Sequence, residues 1–275
     1  MNGINRLHQL TSQSYSQMMS YIVETDDGKL IVVDGGLACD ADYLLNYIRR
    51  LNGGKAHVDC WHLTHAHNDH IEALLKLLKD KPDDLVIDRL YYNFPPVEKT
   101  RLYEPSDVHT GEEFNALLPS IESISSVYRD GEVIRVGSAS FTVLYTPDPD
   151  FSITQNFVNN TSTVLRMTLG GHSVLFLGDL GVEAGEVMLA RRGKELKSDY
   201  VQMAHHGQNG VTRAVYAAAA PTACLWDTPL WLWTNNAGGG YNTHQWKTII
   251  VRSWMAELGV RRHYVTKDGT NVIDL

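Results

Sequence analysis

The sequence predicts an α+β fold: one domain over residues 1–275, in which two mixed β-sheets pack face to face with helices on the outside. Each half of the chain opens with paired β-strands and closes with alternating strands and helices. No Ser/Gly-rich linker separates the halves, so we expect them to share one core. Hydrophobic residues make up 43% of the 275 positions, which is enough to bury a substantial core.

The first half begins with a β-hairpin over residues 20–34, where apolar residues flank an Asp-Gly turn. Residues 97–107 are expected to form a loop. The apolar pattern further predicts strands at 58–63 and 85–92, and helices at 41–51, 71–79 and 111–127, the last interrupted at Pro119.

The second half repeats this order. A hairpin is expected over residues 132–145, and a second pair of strands turns at Gly170-Gly171. The chain ends in a strand-like segment. Between the second pair of strands and this last segment, the pattern predicts strands at 200–204 and 223–226. In the same part of the chain it predicts helices at 182–192, 211–220 and 243–258.

The heptapeptide Thr-His-Ala-His-Asn-Asp-His at residues 64–70 is the most informative motif. Imidazole and carboxylate are the usual ligands of zinc and similar metals. A β-rich stretch precedes the motif and leucines at helical spacing follow it, so it lies on a strand-to-helix turn, where α/β folds tend to bind ligands. A histidine-rich surface loop without function is the alternative.

The spacing within this motif predicts a two-metal centre. His65 and His67 are two residues apart and can point to one side of an extended segment. Asp69 and His70 follow as the chain turns into the helix, so they can face a second ion. The simplest arrangement is one pair of side chains per ion, with the ions roughly 3.5–4 Å apart as in other two-metal sites.

Two later strand ends carry matching chemistry. An apolar strand ends at Gly178-Asp179, which would mount a carboxylate rigidly between two ions. Taken alone, this aspartate is better explained as the cap of the helix that begins near Val182. Another strand ends at His205-His206-Gly207, where paired histidines can serve as ligands or proton donors and the glycine lets the backbone pass close to the ions.

The composition argues against several functions. A net charge of −8 without a long basic run disfavours binding of long nucleic acid. Cys39, Cys60 and Cys224 have no metal or redox spacing, and we expect them to be reduced and buried in a cytoplasmic protein. No signal peptide or apolar run of the roughly 18–20 residues that span a membrane occurs. The oligomeric state is left open.

Read in order, the motifs THAHNDH, LGD and HHG resemble the metallo-β-lactamase superfamily. That resemblance implies a four-layer αββα sandwich around a dinuclear metal site. In the second half, residues 159–166 (NNTSTVLR) and 264–269 (YVTKDG) are similar to the soluble hydrolase-like domain of the ComEC/Rec2 DNA-uptake proteins. Stand-alone phosphodiesterases, including phosphorylcholine esterases, share that domain. The resemblance runs from about residue 15 to the end.

Carried over by position, the resemblance implies ligands for two divalent ions, with zinc as the default and manganese as the alternative. Histidines 65 and 67 would hold the first ion, and an aspartate would bridge the two. The implied ligands are His65, His67, Asp69, His70, Asp179 and His206.

The resemblance also implies two catalytic residues. Asp69 would both bind metal and orient the attacking water. His206 is favoured over His205 as the ligand, because members of the superfamily place this histidine directly before a glycine. His205 would then lie beside the substrate, where it could stabilise negative charge or donate a proton.

One ligand of the lactamase-like and glyoxalase-like members is missing. They have another histidine where this chain has Tyr-Thr-Pro-Asp-Pro-Asp at residues 145–150, and His172 lies in a Gly-Gly turn. The first ion would then have three protein ligands, and Asp148 is either a substitute ligand or, as we favour, a turn carboxylate. The departure fits the phosphodiesterase-like branch.

A segment rich in aromatic residues, 226–246, holds four of the six tryptophans. Its rings can stack on a base or enclose a quaternary ammonium, and packing onto the core is the simpler interpretation. The candidate substrate-binding residues are Asn160, Trp231, Trp233, Tyr241 and His244.

The sequence therefore predicts a metallo-hydrolase whose dinuclear site activates water to cleave a phosphodiester or phosphate ester. A small or nucleotide-like molecule is the expected substrate. Two alternatives remain open: hydrolysis of another ester class, such as a lactone or thioester, and a non-catalytic module that binds metal or nucleotide. An oxygen-reducing diiron enzyme is disfavoured, because those members of the superfamily have Glu where His67 stands.

Overall fold

Three clusters of buried apolar side chains divide the molecule into four layers. The computed structural model describes residues 3–148 and 155–275. Within them, one cluster joins the first helices to the outer face of one sheet, and another joins the later helices to the second sheet. The central cluster takes side chains from both sheets, among them Tyr21 and Phe141. This is the predicted αββα sandwich, with two mixed sheets flanked by helices.

The first half of the chain supplies most of one sheet. Its strands are β1 (Arg6–Gln9), β2 (Ser20–Glu24), β3 (Leu30–Asp34), β4 (His57–Val58), β5 (Cys60–His62), β6 (Val86–Ile87), β7 (Leu90–Tyr92) and β8 (Ser125–Val127), and its helices are α1 (Ala41–Leu51), α2 (Asn68–Asp80), α3 (Val97–Tyr103) and α4 (Val108–Ile121).

The second half supplies the other sheet. Its strands are β9 (Val133–Val136), β10 (Ala139–Tyr145), β11 (Val164–Leu169), β12 (His172–Phe176), β13 (Tyr200–Gln202), β14 (Ala223–Trp226), β15 (Arg262–Val265) and β16 (Asn271–Asp274), and its helices are α5 (Phe157–Asn160), α6 (Val182–Arg192), α7 (Arg213–Ala219), α8 (Leu230–Trp233) and α9 (Thr248–Glu257).

The strand order explains why one edge of the sandwich collects polar side chains. The first sheet runs β16-β1-β2-β3-β5-β7-β8, and the second runs β15-β14-β13-β12-β11-β10-β9. Strands β3, β5, β7 and β8 are parallel, as are β12, β13, β14 and β15. Parallel strands end at the same edge of their sheet, so the loops that follow them lie together.

Several elements differ from the sequence prediction. The expected loop at 97–107 contains α3 and a 3-10 turn, and β1 was not predicted at all. The expected strand at 85–92 is broken into β6 and β7, and the preceding one into β4 and β5. Helix α4 continues through Pro119 and ends at Ile121, after which the chain enters β8. These segments are short or mixed in pattern, so tertiary pairing decides their state.

All three cysteines were expected to be reduced and buried. Cys60 and Cys224 are buried free thiols, as predicted, but Cys39 is exposed, because it lies in the 3-10 turn before α1. Among the described residues, no helix combines the length and the hydropathy that crossing a lipid bilayer requires.

A buried polar tie joins the two sheets beside the loops that follow β3, β5 and β14. Asp227, just after β14, is fully buried and accepts hydrogen bonds from Gln9 Nε2 at 3.0 Å and Tyr21 Oη at 2.9 Å. Gln9 and Tyr21 belong to β1 and β2 of the other sheet. Burial raises the pKa of Asp227 to about 7, although both hydrogen bonds oppose the shift.

This tie predicts a pH-dependent stability. An aspartate in the unfolded chain has a pKa of about 3.9. Between that pH and about 7 the folded protein holds the extra proton, so Asp227 makes the free energy of unfolding fall as pH rises through this window. We expect Asp227→Asn to lose less stability than the wild type between pH 4.5 and 7.5 in urea denaturation. Asp83→Asn, at an exposed aspartate, is the control. If the free energy of unfolding changes with pH equally in Asp227→Asn and the wild type, the prediction is contradicted.

Candidate metal centre

Four segments of the chain bring the six predicted ligands to one edge of the sandwich. The loop after β5 carries the first two, and the first turn of α2 carries the next two. The remaining two follow β12 and β13, from the opposite sheet. Five of the six are buried with at most 6% exposure, and the sixth, His67, is half-buried. The six are His65, His67, Asp69, His70, Asp179 and His206.

These side chains form two groups. His65, His67 and Asp179 place one ligand atom each within 4.8 Å of one another, and so do Asp69, His70 and His206. His65 Nε2 is 3.1 Å from His67 Nδ1. His206 Nε2 is 3.1 Å from Asp69 Oδ2. The grouping matches the division that the spacing of the motif predicts, and metal binding by these residues stays a prediction.

Asp179 lies between the two groups. Its Oδ1 is 3.2 Å from His70 Nε2, and its Oδ2 is 3.4 Å from His206 Nε2 and 4.0 Å from His65 Nε2. Helix α6 has Gly181 as its N-cap, so Asp179 does not cap that helix. Its position is that of a carboxylate able to bridge two ions.

The polar atoms that face the centre fit a metal site. Nε2 of His70, Nε2 of His206 and Oδ1 of Asp179 are buried and make no well-oriented hydrogen bond, although each lies 3.1–3.2 Å from a polar atom of another predicted ligand. Buried polar atoms in folded proteins are almost always paired, since an unpaired one costs about 1–3 kcal/mol. Imidazole nitrogens and carboxylate oxygens converging on one space are the donor set that zinc and manganese take.

His70 is oriented by a carboxylate behind it. Its Nδ1 is 2.7 Å from Oδ2 of Asp34, which is fully buried at the end of β3. Thr64 fixes Asp34 in turn, donating its backbone N–H at 2.8 Å and its hydroxyl at 2.7 Å. A bond at Nδ1 leaves Nε2 of His70 aimed at the centre. Asp34 therefore positions a predicted ligand.

His206 is oriented by the backbone after β14. Its Nδ1 donates to the carbonyl of Asp227 at 3.0 Å, and Thr228 donates its hydroxyl to the carbonyl of His206 at 2.6 Å. His205 and His206 both have positive φ, 52° and 53°. Such a backbone persists only where the surroundings hold it, and it marks functional sites.

Gly207 serves this turn in a different way from the one predicted. Its φ is 78°, and a Cβ there would lie 2.4 Å from the ring of Trp226. The glycine is required by the left-handed backbone and by the close approach to Trp226, because any side chain would collide with that ring.

The carboxylates of the second group favour a positive charge at that position. Burial alone lowers the pKa of His70, but Asp179 and Asp34 outweigh it and hold that pKa well above its usual value. The same balance, with Asp179 and Asp69 raising it, brings the pKa of His206 to about 10. The carboxylates thus draw protons onto both imidazoles. Metal binding would displace those protons, as it does in other imidazole sites.

Around the first group, the substitute for the missing histidine is not Asp148. Asp148 is exposed and pairs with Arg191 at 2.9 Å, as expected of a turn carboxylate. Pro149 and Asp150 lie outside the described residues. Glu104 and Asp107 lie beyond His67, with Asp107 Oδ1 4.0 Å from His67 Nε2, on the opposite side of the ring from His65.

The predicted proton donor, His205, stands at the rim. Its Nε2 is 3.9 Å from Asp179 Oδ2 and 3.5 Å from Asn159 Nδ2, and its buried Nδ1 has no partner. Burial lowers the pKa of His205. Its position beside Asp179 is compatible with the role that the sequence assigned, and that role stays a prediction.

Asn160 is placed differently from what we expected. Its side chain is fully buried, and it donates to the carbonyl of Gln155 at 3.0 Å and to Glu183 at 3.1 Å. Its Oδ1 accepts from the backbone N–H of Ala184 at 3.2 Å. These bonds anchor the start of α6, and they leave no free donor for substrate. The neighbouring Asn159 instead points toward His205.

The aromatic candidates divide into packing and surface groups. Trp233 packs edge-to-face on Trp226 and lies 3.9 Å beneath the guanidinium of Arg252, so it belongs to the core, which the simpler interpretation predicted. Tyr241 is 65% exposed. The ring of His244 packs on that of Trp246. The ring of Trp231 packs on the same tryptophan, with the two ring centroids 5.0 Å apart.

One residue at the centre was missed by sequence reasoning. Gln17, in the loop between β1 and β2, donates Nε2 to Asp69 Oδ2 at 2.9 Å, and its Oε1 accepts from Gln208 at 3.3 Å. The loop carries no motif, and nothing in its sequence indicates that the fold brings it to α2. The only signal for Gln17 in the sequence is that it is a polar residue shortly before a strand.

We expect Asp34→Ala to weaken metal binding about 10- to 100-fold, because His70 loses the acceptor that orients it. Competition with a chromogenic chelator measures the affinity for zinc and manganese. Asp34→Asn keeps an acceptor and should lose less. Asp42→Ala, which removes only an exposed partner of Lys81, should bind as the wild type does. Unchanged affinity in Asp34→Ala would count against the assigned geometry.

Comparison with known sequences gives two matches. Residues 16–223 match the model of the metallo-beta-lactamase superfamily. ComE operon protein 3 of Bacillus subtilis (strain 168) is 32% identical over 160 residues, which are 58% of this chain. The aligned part covers 18% of that relative, so the chain spans about a fifth of its length.

Solved structures share the fold. The metallo-beta-lactamase fold protein YhfI from Bacillus subtilis superposes with a TM-score of 0.59 at 14% identity, over 98% of this chain and 100% of that one. CmlA, a diiron beta-hydroxylase from Streptomyces venezuelae, gives 0.57 at 15% identity, over 100% of this chain and 55% of that one. With the family match over most of its length and the ComE relative, the chain belongs to the metallo-β-lactamase superfamily and fits its ComEC-like branch.

Proposed function

We propose that this chain is a metal-dependent hydrolase that cleaves a phosphodiester or phosphate ester with two divalent ions, zinc by default or manganese. The observation that carries the proposal is the pair of ligand groups joined by Asp179. When bound, two such ions lower the pKa of water and neutralise charge on a phosphoryl group. The superfamily match supports a metallo-hydrolase, and the phosphoryl substrate is our own inference.

The residues of the chain then have distinct tasks. Asp69 has one oxygen, Oδ2, beside His206 and held by Gln17, so its carboxylate can ligate an ion while it fixes the orientation of the attacking water. His205 stands beside Asp179 and has an unpaired ring nitrogen, so it can donate a proton to the leaving oxygen. Both residues act through positions that the fold holds rigid.

The ligand set favours this proposal over its alternatives. His67 stands where oxygen-reducing diiron members have Glu, which argues against that chemistry. An ion held by His65, His67 and Asp179 alone would have room in its coordination for an anionic phosphoryl oxygen. A module that bound only nucleotide would gain nothing from buried ligand atoms without hydrogen bonds, which cost stability. The net charge of −8 leads us to propose a small or nucleotide-like ester as substrate in preference to long nucleic acid.

The first experiment follows hydrolysis of bis(p-nitrophenyl) phosphate by protein loaded with zinc or manganese. We expect turnover that needs metal and falls about 100-fold or more in Asp69→Ala, because the variant loses both a ligand and the group that orients water. Asp80→Ala, at the exposed far end of the same helix, is the matched control. Two bound ions per chain without turnover would overturn the phosphodiesterase proposal in favour of another ester class or a binding role.

A second variant tests the positioning of Asp69. We expect Gln17→Ala to lower kcat about 10- to 100-fold with a smaller change in KM, since Asp69 loses the donor that fixes its carboxylate. Metal content, measured by atomic emission, should stay at two ions per chain. The exposed Gln155→Ala is the control. If Gln17→Ala keeps full kcat, Gln17 has no positioning role.

A further inference from the structure

A cleft lies at the same edge of the sandwich as the second ligand group. It has a volume of about 480 Å³, within the range of sites that hold small molecules. Three segments line it: residues 11–16 before β2, residues 229–231 at the start of α8, and residues 266–269 between β15 and β16. We call it the Tyr15–Trp231 cleft, after the aromatic residues on its two walls.

Hydrogen bonds between the segments hold the cleft open. Trp231 Nε1 donates to the carbonyl of Tyr15 at 3.1 Å, which joins the two walls. Thr11 donates its hydroxyl to the carbonyl of Thr266 at 2.9 Å, and the backbone N–H of Lys267 donates to the carbonyl of Thr228 at 3.1 Å. The cleft is therefore part of the folded scaffold, and binding there needs little reorganisation.

Each wall is adjacent in the chain to a residue that contacts a predicted ligand of the second group. Tyr15 is two residues from Gln17, which contacts Asp69, so its Cα is within about 7 Å of that of Gln17. On the other wall, the segment at 229–231 follows Thr228, whose hydroxyl contacts the backbone of His206. A substrate that spans both sites would hold its phosphoryl group at the predicted metal ligands and place its next group in this cleft.

The lining indicates the chemistry of that group. Tyr15 is 88% exposed and has a φ of 60°, and Leu230 is 62% exposed. Large side chains of this kind are costly to leave in water, and a positive φ is uncommon for tyrosine. Trp231 packs on Trp246 and, half-buried, lines the cleft. Together they offer flat apolar surfaces on which a planar ring can stack.

We propose that the Tyr15–Trp231 cleft binds a planar aromatic ring attached to the phosphoryl group of the substrate, as in a nucleotide or an aryl phosphate. This inference deepens the proposed function, and it rests on that function for the position of the phosphoryl group. Lys267 lines the same cleft and adds a cation near the ring, although Asp268 pairs with it at 2.6 Å.

Binding, measured by calorimetry on the metal-loaded protein, tests this without turnover. The probes are benzylphosphonate and cyclohexylmethylphosphonate, which share size and anionic group and differ in aromaticity. We expect the benzyl compound to bind about 5-fold or more tightly, and we expect Trp231→Ala and Tyr15→Ala each to abolish the difference. Trp231→Phe should retain it. Thymidine 5′-phosphate separates the sources: tighter binding than benzylphosphonate indicates a nucleobase, and weaker binding an aryl ester.

Equal binding of the two phosphonates to the wild type would overturn the cleft proposal. So would an aromatic preference that survives in both Trp231→Ala and Tyr15→Ala. Failure of the proposed function gives a different result, because the aromatic preference would then persist in a protein that hydrolyses no phosphodiester. Turnover without the preference would leave the hydrolase proposal standing and remove the cleft from it.

Discussion

The hydrogen bond between Asp34 and His70 is the interaction on which the centre depends. It is 2.7 Å long, fully buried, and joins the end of β3 to the first turn of α2. Because Asp34 is also fixed by Thr64 and by a bond from Trp61 Nε1 to its carbonyl at 2.7 Å, the imidazole cannot rotate away. A buried carboxylate lowers the stability of the fold unless it is paired. The contact with His70 therefore stabilises the fold and also orients a predicted ligand.

The same principle extends across the sandwich. The ligands of the centre come from two sheets, and their relative position depends on polar contacts that cross between the sheets. Asp227 is the clearest example, since it receives Gln9 and Tyr21 from the first sheet while its carbonyl orients His206 of the second. Polar contacts at this edge therefore join the two sheets and also hold the predicted ligands in place. Several of the buried polar atoms that lack a hydrogen bond belong to those ligands, among them Nε2 of His70, Nε2 of His206 and Oδ1 of Asp179.

Part of the backbone strain in the described residues lies at the centre. Asp34, His205 and His206 all have positive φ, although none is glycine. Conformations of this kind cost of order 1–3 kcal/mol each and persist where surrounding contacts fix them. Here each strained residue either ligates, orients a ligand or stands at the rim. Positive φ also occurs away from the centre, at Tyr15, Asn156, Ala220, Asn235 and Asn242.

The sequence by itself determined the ligand motif, the grouping of its pairs and the αββα class, because metal ligands on a strand-to-helix turn are local in the chain. It also placed Asp179 and the paired histidines at strand ends. Only the tertiary structure decided that Gln17 meets Asp69 and that Asp227 meets His206, since each comes from a loop or strand end without a motif. It also turned Asn160 away from the site and toward α6, because burial and hydrogen bonding, which depend on distant partners, decide where such a side chain points.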